Sequence, residues 1–285
     1  MKPTVLFAAI AILAAPSAFA AQTPQAAWKA GLADANQAWA KRPHAILKIQ
    51  DSAYLHEGDT AVLQGTPGKP GSYHWSHDPK ASGVLTVALH GGKISAVKDG
   101  KNIDTATLMK SIPIDKDIDV DGQPTQVDAG VMGWRIFVFN QKNPDALNFK
   151  GVSYFPYDPA YRVTAQFKPD PARPPHVFRT SRGTDKQFYL VGEATFALQG
   201  KTITLPFYSG DNDPKKITDM SAFFTDDLTG KGTYGAGRYV DIDSFGAYPP
   251  KTVTIDFNDA YNPNCARSKH FTCPVAIDNI QLAMK

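Results

Sequence analysis

The chain has 285 residues, 42% of them hydrophobic, and carries 30 Lys and Arg against 27 Asp and Glu, a net charge of +3. Basic residues are scattered and form no run, which argues against a nucleic-acid partner. Twenty-two Gly and 22 Pro beside 16 Phe and 11 Tyr fit many short strands joined by turns, not a helical bundle.

Residues 1–20 hold the parts of a cleavable secretory signal peptide in order: Lys2, an uncharged apolar run at 5–15, the breaker Pro16, and the small-x-small site Ala18-Phe19-Ala20. The run is too short for a permanent bilayer anchor. The expectation is a mature chain starting near Ala21, periplasmic or secreted, with no membrane span.

A helix is expected within residues 21–43. Thr23 can cap it, Pro24 suits its first turn, and Trp28, Leu32, Ala35 and Trp39 follow at helical spacing until Pro43. Beyond Pro43 the pattern turns to strands. His90-Gly91-Gly92 and Gln199-Gly200-Lys201 each sit between apolar runs as hairpin turns. Runs at 134–139, 161–167, 221–224, 238–242 and 252–257 complete the set. The lack of helix–strand alternation argues against a doubly wound fold. The predicted architecture is mainly β: the N-terminal helix, then two packed sandwich or barrel-like units of antiparallel hairpins at 44–157 and 158–285. The Pro-rich stretch 169–175 is a linker or a long loop.

Three constellations have competing readings. Residues 230–235 (GKGTYG) match G-x-G-x-x-G, but a strand-like run follows where a dinucleotide fold needs a helix, so a glycine-rich connection is expected. Asp117, Asp119, Asp121 and Asp128 have the spacing of a calcium loop, with Gly122 at its sharp turn. Pro113 and Pro124 disturb that pattern, and a hairpin turning at Asp121-Gly122 is the favoured reading, with no metal. His74, His77 and Asp78, with His56 and Glu57 nearby in sequence, are favoured as solvated loop residues over metal ligands. No nucleophile elbow, zincin or Walker motif occurs.

Cys265 and Cys273 are the only cysteines. In an oxidising compartment they are expected to form a disulfide; a metal site with His270 between them, or a reactive thiol, is the alternative.

The most distinctive text lies near the C-terminus. Residues 223–239 read FFTDDLTGKGTYGAGRY and residues 252–274 read TVTIDFNDAYNPNCARSKHFTCP. These resemble the bacterial family of domain of unknown function 1684. Asp226, Thr229, Gly230, Thr233, Tyr234, Gly237, Arg238 and Tyr239 fit its first run, with Asp227 inserted. Asp256, Phe257, Asn258, Ala260, Tyr261, Asn262, Pro263, Cys265, Cys273 and Pro274 fit its second. Residues 149–167 resemble it too, while residues 275–285 (VAIDNIQLAMK) depart from the family's usual proline pair, N-R-L segment and final A-G-E. The resemblance implies a β-rich fold and carries no activity.

From the residues themselves, Asp226, Tyr234, Arg238, Asp256, Asn258, Tyr261 and Asn262 are the candidate ligand-binding set. Arg238 beside glycines offers a guanidinium fork where backbone can approach a ligand. Asp256 and Asn258 share one face of a strand-like run, and residues 261–263 turn at its end. The rival reading pairs Asp256 with Arg238 as scaffold. The function expected is a non-catalytic binding or structural module for an unknown small molecule or cell-envelope component, needing no cofactor. The alternative is an exported hydrolase with its site in the C-terminal motif region.

Overall fold

A computed structural model describes residues 23–280. The expected signal peptide at 1–20 lies outside the described residues. The chain is mainly β, as its composition implied, with the helix first.

Thr23 Oγ1 accepts the Ala26 N–H at 3.2 Å and opens α1 (Pro24–Asn36). No α1 side chain is fully buried. A π-helical turn at Gln37–Lys41 follows, and Trp39 and Ala40 pack there against Leu47 and Ala146. Trp28 reaches much further along the chain: its indole N–H donates to the Asn258 carbonyl at 3.0 Å.

Nine strands follow: β1 (Ile49–Leu55), β2 (Thr60–Thr66), β3 (Lys69–Ser76), β4 (Leu85–His90), β5 (Lys93–Lys98), β6 (Lys101–Ile103), β7 (Ile112–Asp115), β8 (Ile118–Asp128) and β9 (Val131–Asn140). They form two antiparallel sheets, β1-β9-β8-β7 and β3-β2-β4-β5-β6. Leu55, Ile118, Val120 and Ile136 from the first sheet meet Leu63, Tyr73, Leu85 and Val87 from the second in one buried core. The β4–β5 hairpin turns at Gly91-Gly92, both at positive φ, as a two-residue turn of this kind requires. Glu57 accepts both turn amides, at 2.5 and 3.0 Å.

One expected turn is displaced. The hairpin turns at residues 116–117, between β7 and β8, and Asp121-Gly122 lies inside β8 opposite Phe137 and Ile136. Ile118 and Val120 alternate into the core, and this alternation outweighs the Asp-Gly turn signal. Gly122 serves close packing: a Cβ there would lie 3.1 Å from Ile136 Cγ2 and 3.3 Å from Leu108 Cδ1.

The remaining strands are β10 (Arg162–Pro169), β11 (Pro175–Arg179), β12 (Asp185–Leu198), β13 (Lys201–Ser209), β14 (Met220–Thr225), β15 (Arg238–Ile242), β16 (Thr252–Asp256) and β17 (Asp278–Asn279). They make a third sheet in the order β15-β14-β13-β12-β10-β16, with β11 on β12 and β17 parallel to β14. Its two ends meet: Tyr239 of β15 and Tyr261, just past β16, exchange backbone hydrogen bonds at 2.9 Å each. Phe207, Phe224, Val240 and Ile255 fill the inside of this half-barrel. Phe178, Tyr208, Phe223 and Tyr239 face the other way and pack beneath Cys265, Cys273 and Ala276. The inner face is buried by the sheet's own curl; the outer face is covered by the closing segment only around Phe178, Tyr208, Phe223 and Tyr239, and is exposed along β10 and β16. Among the described residues no helix is long and apolar enough to cross a membrane.

Candidate functional site

The site forms where the half-barrel closes. The chain leaves β14 at Asp226 and returns at Arg238 through the glycine-rich turn. Asp226 Oδ1 accepts the Leu228 amide at 2.8 Å and the Thr229 hydroxyl at 3.3 Å, which knots the turn's entry. Gly237, at φ 95°, permits its exit; a Cβ there would lie 2.4 Å from Ala276 Cβ and 2.7 Å from the Phe224 carbonyl oxygen. No helix follows. Residues 230–235 feed directly toward β15, so the glycine pattern is a strand connection.

Arg238 is 5% exposed, and its Nη2 donates to Asp226 Oδ2. The pair is deep in the protein, with the guanidinium 5.5 Å over the Phe224 ring. Asp256 is not its partner. Asp256 pairs with Arg162 at 3.4 Å and accepts both the backbone and side-chain N–H groups of Asn258, at 3.0 and 2.7 Å. The β10–β16 register explains this, because it sets Arg162 directly opposite Asp256.

Asn258 exchanges bonds with the Asp158 backbone, accepting its N–H and donating to its carbonyl at 2.9 Å each. Asn262 Oδ1 accepts the Tyr234 amide at 3.2 Å and so ties the glycine turn to the segment after β16. The Tyr261 hydroxyl donates to Asp241 at 2.8 Å. Burial, then the Asp241 charge, push that phenol above its ordinary range.

Around these residues lies a cavity of about 190 Å³. Of the seven candidates, Arg238, Asn258, Tyr261 and Asn262 line it. Asp226 sits behind Arg238, while Tyr234 and Asp256 do not reach the lining. Sequence reasoning missed the opposite wall, Val152 to Phe155, and also Thr233. The stretch 149–167 resembled the family, but a plain VSYF run gives no chemical reason to select it. Thr233 is notable because its Oγ1 is buried with no hydrogen-bond partner.

Asp256 opens instead onto a neighbouring cleft of about 410 Å³, shared with Trp28, Arg162, Asp241 and Asp259. Asp259 is exposed at its rim. Partial desolvation, then the Asp256 charge, push its carboxyl up to about 6, and solvent access at the rim tempers that shift.

The other sequence candidates are dispersed. Asp121 bonds His44 at 2.8 Å, Asp119 accepts from Ser111 and Gln141, and Asp128 caps its own turn through the Ala129 amide. A continuous β8 holds Asp119, Asp121 and Asp128 in strand geometry, not wrapped around an ion. His74 lies within β3 opposite Gln64, not in the expected loop, and turns back to the Ser72 carbonyl at 3.0 Å; Asp78 lies past the strand and caps Lys80, and both residues are exposed. Among the described residues no group of three or more His, Cys, Asp or Glu is placed to hold a metal.

Cys265 and Cys273 are buried free thiols, so the expected disulfide is not formed in this structure. The 3-10 turn Asn264–Ala266 aims the Cys265 amide at Cys273 Sγ, 3.3 Å away. The hydrogen bond from Cys273, aided by Ser181 and Tyr234 and opposed by burial, lowers the Cys265 thiol to about 6. His270 does not stand between the sulfurs; it faces Ser52 of β1, with Nδ1 3.4 Å from Ser52 Oγ.

Residues 147–285 match the family described as protein of unknown function (DUF1684). The match takes in all seven candidates, both cysteines and the cavity wall at Val152 to Phe155. The chain is also similar to an uncharacterized protein from gene locus rrnAC0354 of Haloarcula marismortui, solved by solution NMR. The two are 28% identical over 50% of this chain and 78% of that one, with a TM-score of 0.42. No curated protein matches.

Proposed function

We propose that the protein is an exported binding module that holds a small, hydroxyl-rich ligand, such as one sugar unit of a cell-envelope component, in the cavity beside Arg238. The observation that carries this reading is a cavity wall that offers Asn258, Asn262 and the Tyr154 and Tyr261 rings, with the unmatched hydroxyl of its Thr233 buried just behind the surface. A few convergent polar groups among aromatic faces orient a ligand without reacting with it. The lining holds no Asp, Glu, His or Cys, and burial raises the Tyr154 and Tyr261 phenols, which favours their protonated, hydrogen-bond-donating form. The volume suits a ligand of about one ring. Export, the division at about residue 157 and a Cys265–Cys273 disulfide formed in an oxidising compartment belong to the same proposal.

The test is a thermal-shift screen of the full chain against sugars, peptidoglycan fragments, nucleotides and metals. A saccharide at about a hundredfold its Kd adds about 2.7 kcal/mol of stability. A Thr233→Val variant should fold and lose the response. No stabilisation by any saccharide, or an undiminished response in Thr233→Val, would refute the proposal.

The hydrolase reading has one specific observation behind it: Asp259, raised to about 6, shares a cleft with Asp256 and Trp28. A carboxyl raised in this way, with a second carboxylate in the same cleft, is the arrangement an acid–base pair would need. Turnover of a glycoside or ester that disappears in Asp259→Asn would favour it, and a full panel without turnover would remove it.

A further inference from the structure

A different cavity, of about 330 Å³, lies between the N-terminal sandwich and the C-terminal sheet, lined by Tyr54, Gln126 and Asp128 on one side and by Thr184, Lys186 and Thr272 on the other. Two cations at this seam, Arg135 and Lys186, make no ion pair among the described residues. Arg135 is 5% exposed and is held by ring faces alone, with its guanidinium carbon 4.9 Å from the Tyr54 centroid, 4.4 Å from Phe137 and 4.5 Å from Phe271. Its Nε and Nη2 are buried without any hydrogen-bond partner. Tyr54 and Arg135 stand directly opposite each other on β1 and β9, so the guanidinium backs the Tyr54 wall of the cavity. Lys186 approaches from β12. Burial, then the charge of Arg135, lower its ammonium, so the two cations repel across the seam.

The other charges nearby are largely compensated. Arg179 pairs with Asp185 at 3.0 Å and His56 with Asp59 at 3.3 Å. Asp128 lines the cavity, but it is exposed and its Oδ1 takes the Ala129 amide at 2.8 Å. Hydroxyl groups are also at hand: Thr272 Oγ1 lies 3.1 Å from the Tyr54 hydroxyl, and Thr184 Oγ1 lies 2.8 Å from Thr180 Oγ1. Stacking on rings attracts a guanidinium but leaves its N–H donors unused, and buried charged donors strongly favour an anionic acceptor.

We propose that this seam binds an oxyanion group, phosphoryl or carboxylate, which Lys186 and the threonine hydroxyls hold and whose charge offsets Arg135 behind them. The site is separate from the Arg238 cavity and does not depend on the reading given to it.

Calorimetric titration of the full chain with inorganic phosphate and, separately, with acetate tests this at constant ionic strength. One or both should bind saturably. Lys186→Gln should weaken that binding at least about tenfold, the scale of one lost charge-assisted contact. Lys29→Gln, which removes an exposed positive charge from α1, on the side of the Asn258 segment, should not change it. Binding of phosphate alone assigns a phosphoryl ligand, and of acetate alone a carboxylate. No saturable binding by either ion, or equal affinity in Lys186→Gln, overturns the proposal and leaves Arg135 as a stacked plug in the seam. Circular dichroism of each variant confirms that a lost response is not unfolding.

Discussion

Arg238 and Thr233 line the same cavity, yet substitutions at them should behave in opposite ways. Arg238 is one half of a buried ion pair with Asp226, whose side chain has no exposure. Removing one partner strands the other charge, so Arg238→Ala should cost about 3–5 kcal/mol, read from a denaturant midpoint. A loss smaller than about 1 kcal/mol would mean that the pair is not desolvated as drawn. Lost ligand binding in Arg238→Ala therefore cannot be read as a lost contact. Thr233→Val is the cleaner probe. It keeps the shape and removes a hydroxyl that has no protein partner, so stability should hold or rise, because an unsatisfied buried group costs about 1–3 kcal/mol. A Thr233→Val variant destabilised by more than about 1 kcal/mol would mean that the hydroxyl is satisfied, for example by water.

The segment after β16 is the element that matters most. It closes the half-barrel through Tyr261, supplies Asn258 and Asn262 to the cavity, and covers the outer aromatic face with Cys265 and Cys273. Oxidising the cysteines would tie this cover to itself. If the protein is exported as proposed, denatured and non-reduced material should contain no free thiol, and reduction should lower stability by roughly 2.5 kcal/mol for so short a ring. Two titratable thiols in protein taken from its native compartment would exclude the bridge. Much of this element was legible beforehand. The alternation at 252–256 made β16 readable, but the chain then winds into a 3-10 turn at Phe257–Asp259, so Asn258 does not continue the face of Asp256 as a strand would have it. Hairpins at Gly91-Gly92 and Gln199-Gly200 were readable because two-residue turns need positive φ. What was not legible depends on register and on distant pairing. Arg162 opposes Asp256 only because β10 and β16 are neighbours, and nothing local announces that. The displaced turn near Gly122 has the same origin: its Asp-Gly signal is local, whereas the core that overrules it is shared by two sheets.

At the scale of the whole molecule, the closing segment also joins the two β-rich halves. His270 meets Ser52, Thr272 meets Tyr54, Phe271 stacks on Arg135, and Gln126 and Gln187 exchange hydrogen bonds at 2.8 and 2.9 Å. This seam should be acid-labile. Burial lowers His270 from 6.5 to about 4. Above about pH 6.5 the imidazole is neutral in both folded and unfolded chains, and its contribution is fully present. As pH falls toward 4, the unfolded chain takes up a proton that the folded chain refuses, so stability is lost. Asp259 works in the opposite direction. Its carboxyl is raised from 3.8 to about 6, so its contribution is complete below about 3.8, is lost as pH rises to 6, and returns on acidification. That exposed rim carboxyl is partly screened, and the seam histidine should dominate. Unfolding measured between pH 7 and 4 should therefore show falling stability in the parent chain, a flatter profile in His270→Gln and a steeper one in Asp259→Asn. A profile that His270→Gln leaves unchanged would mean that His270 is solvated and does not help hold the seam.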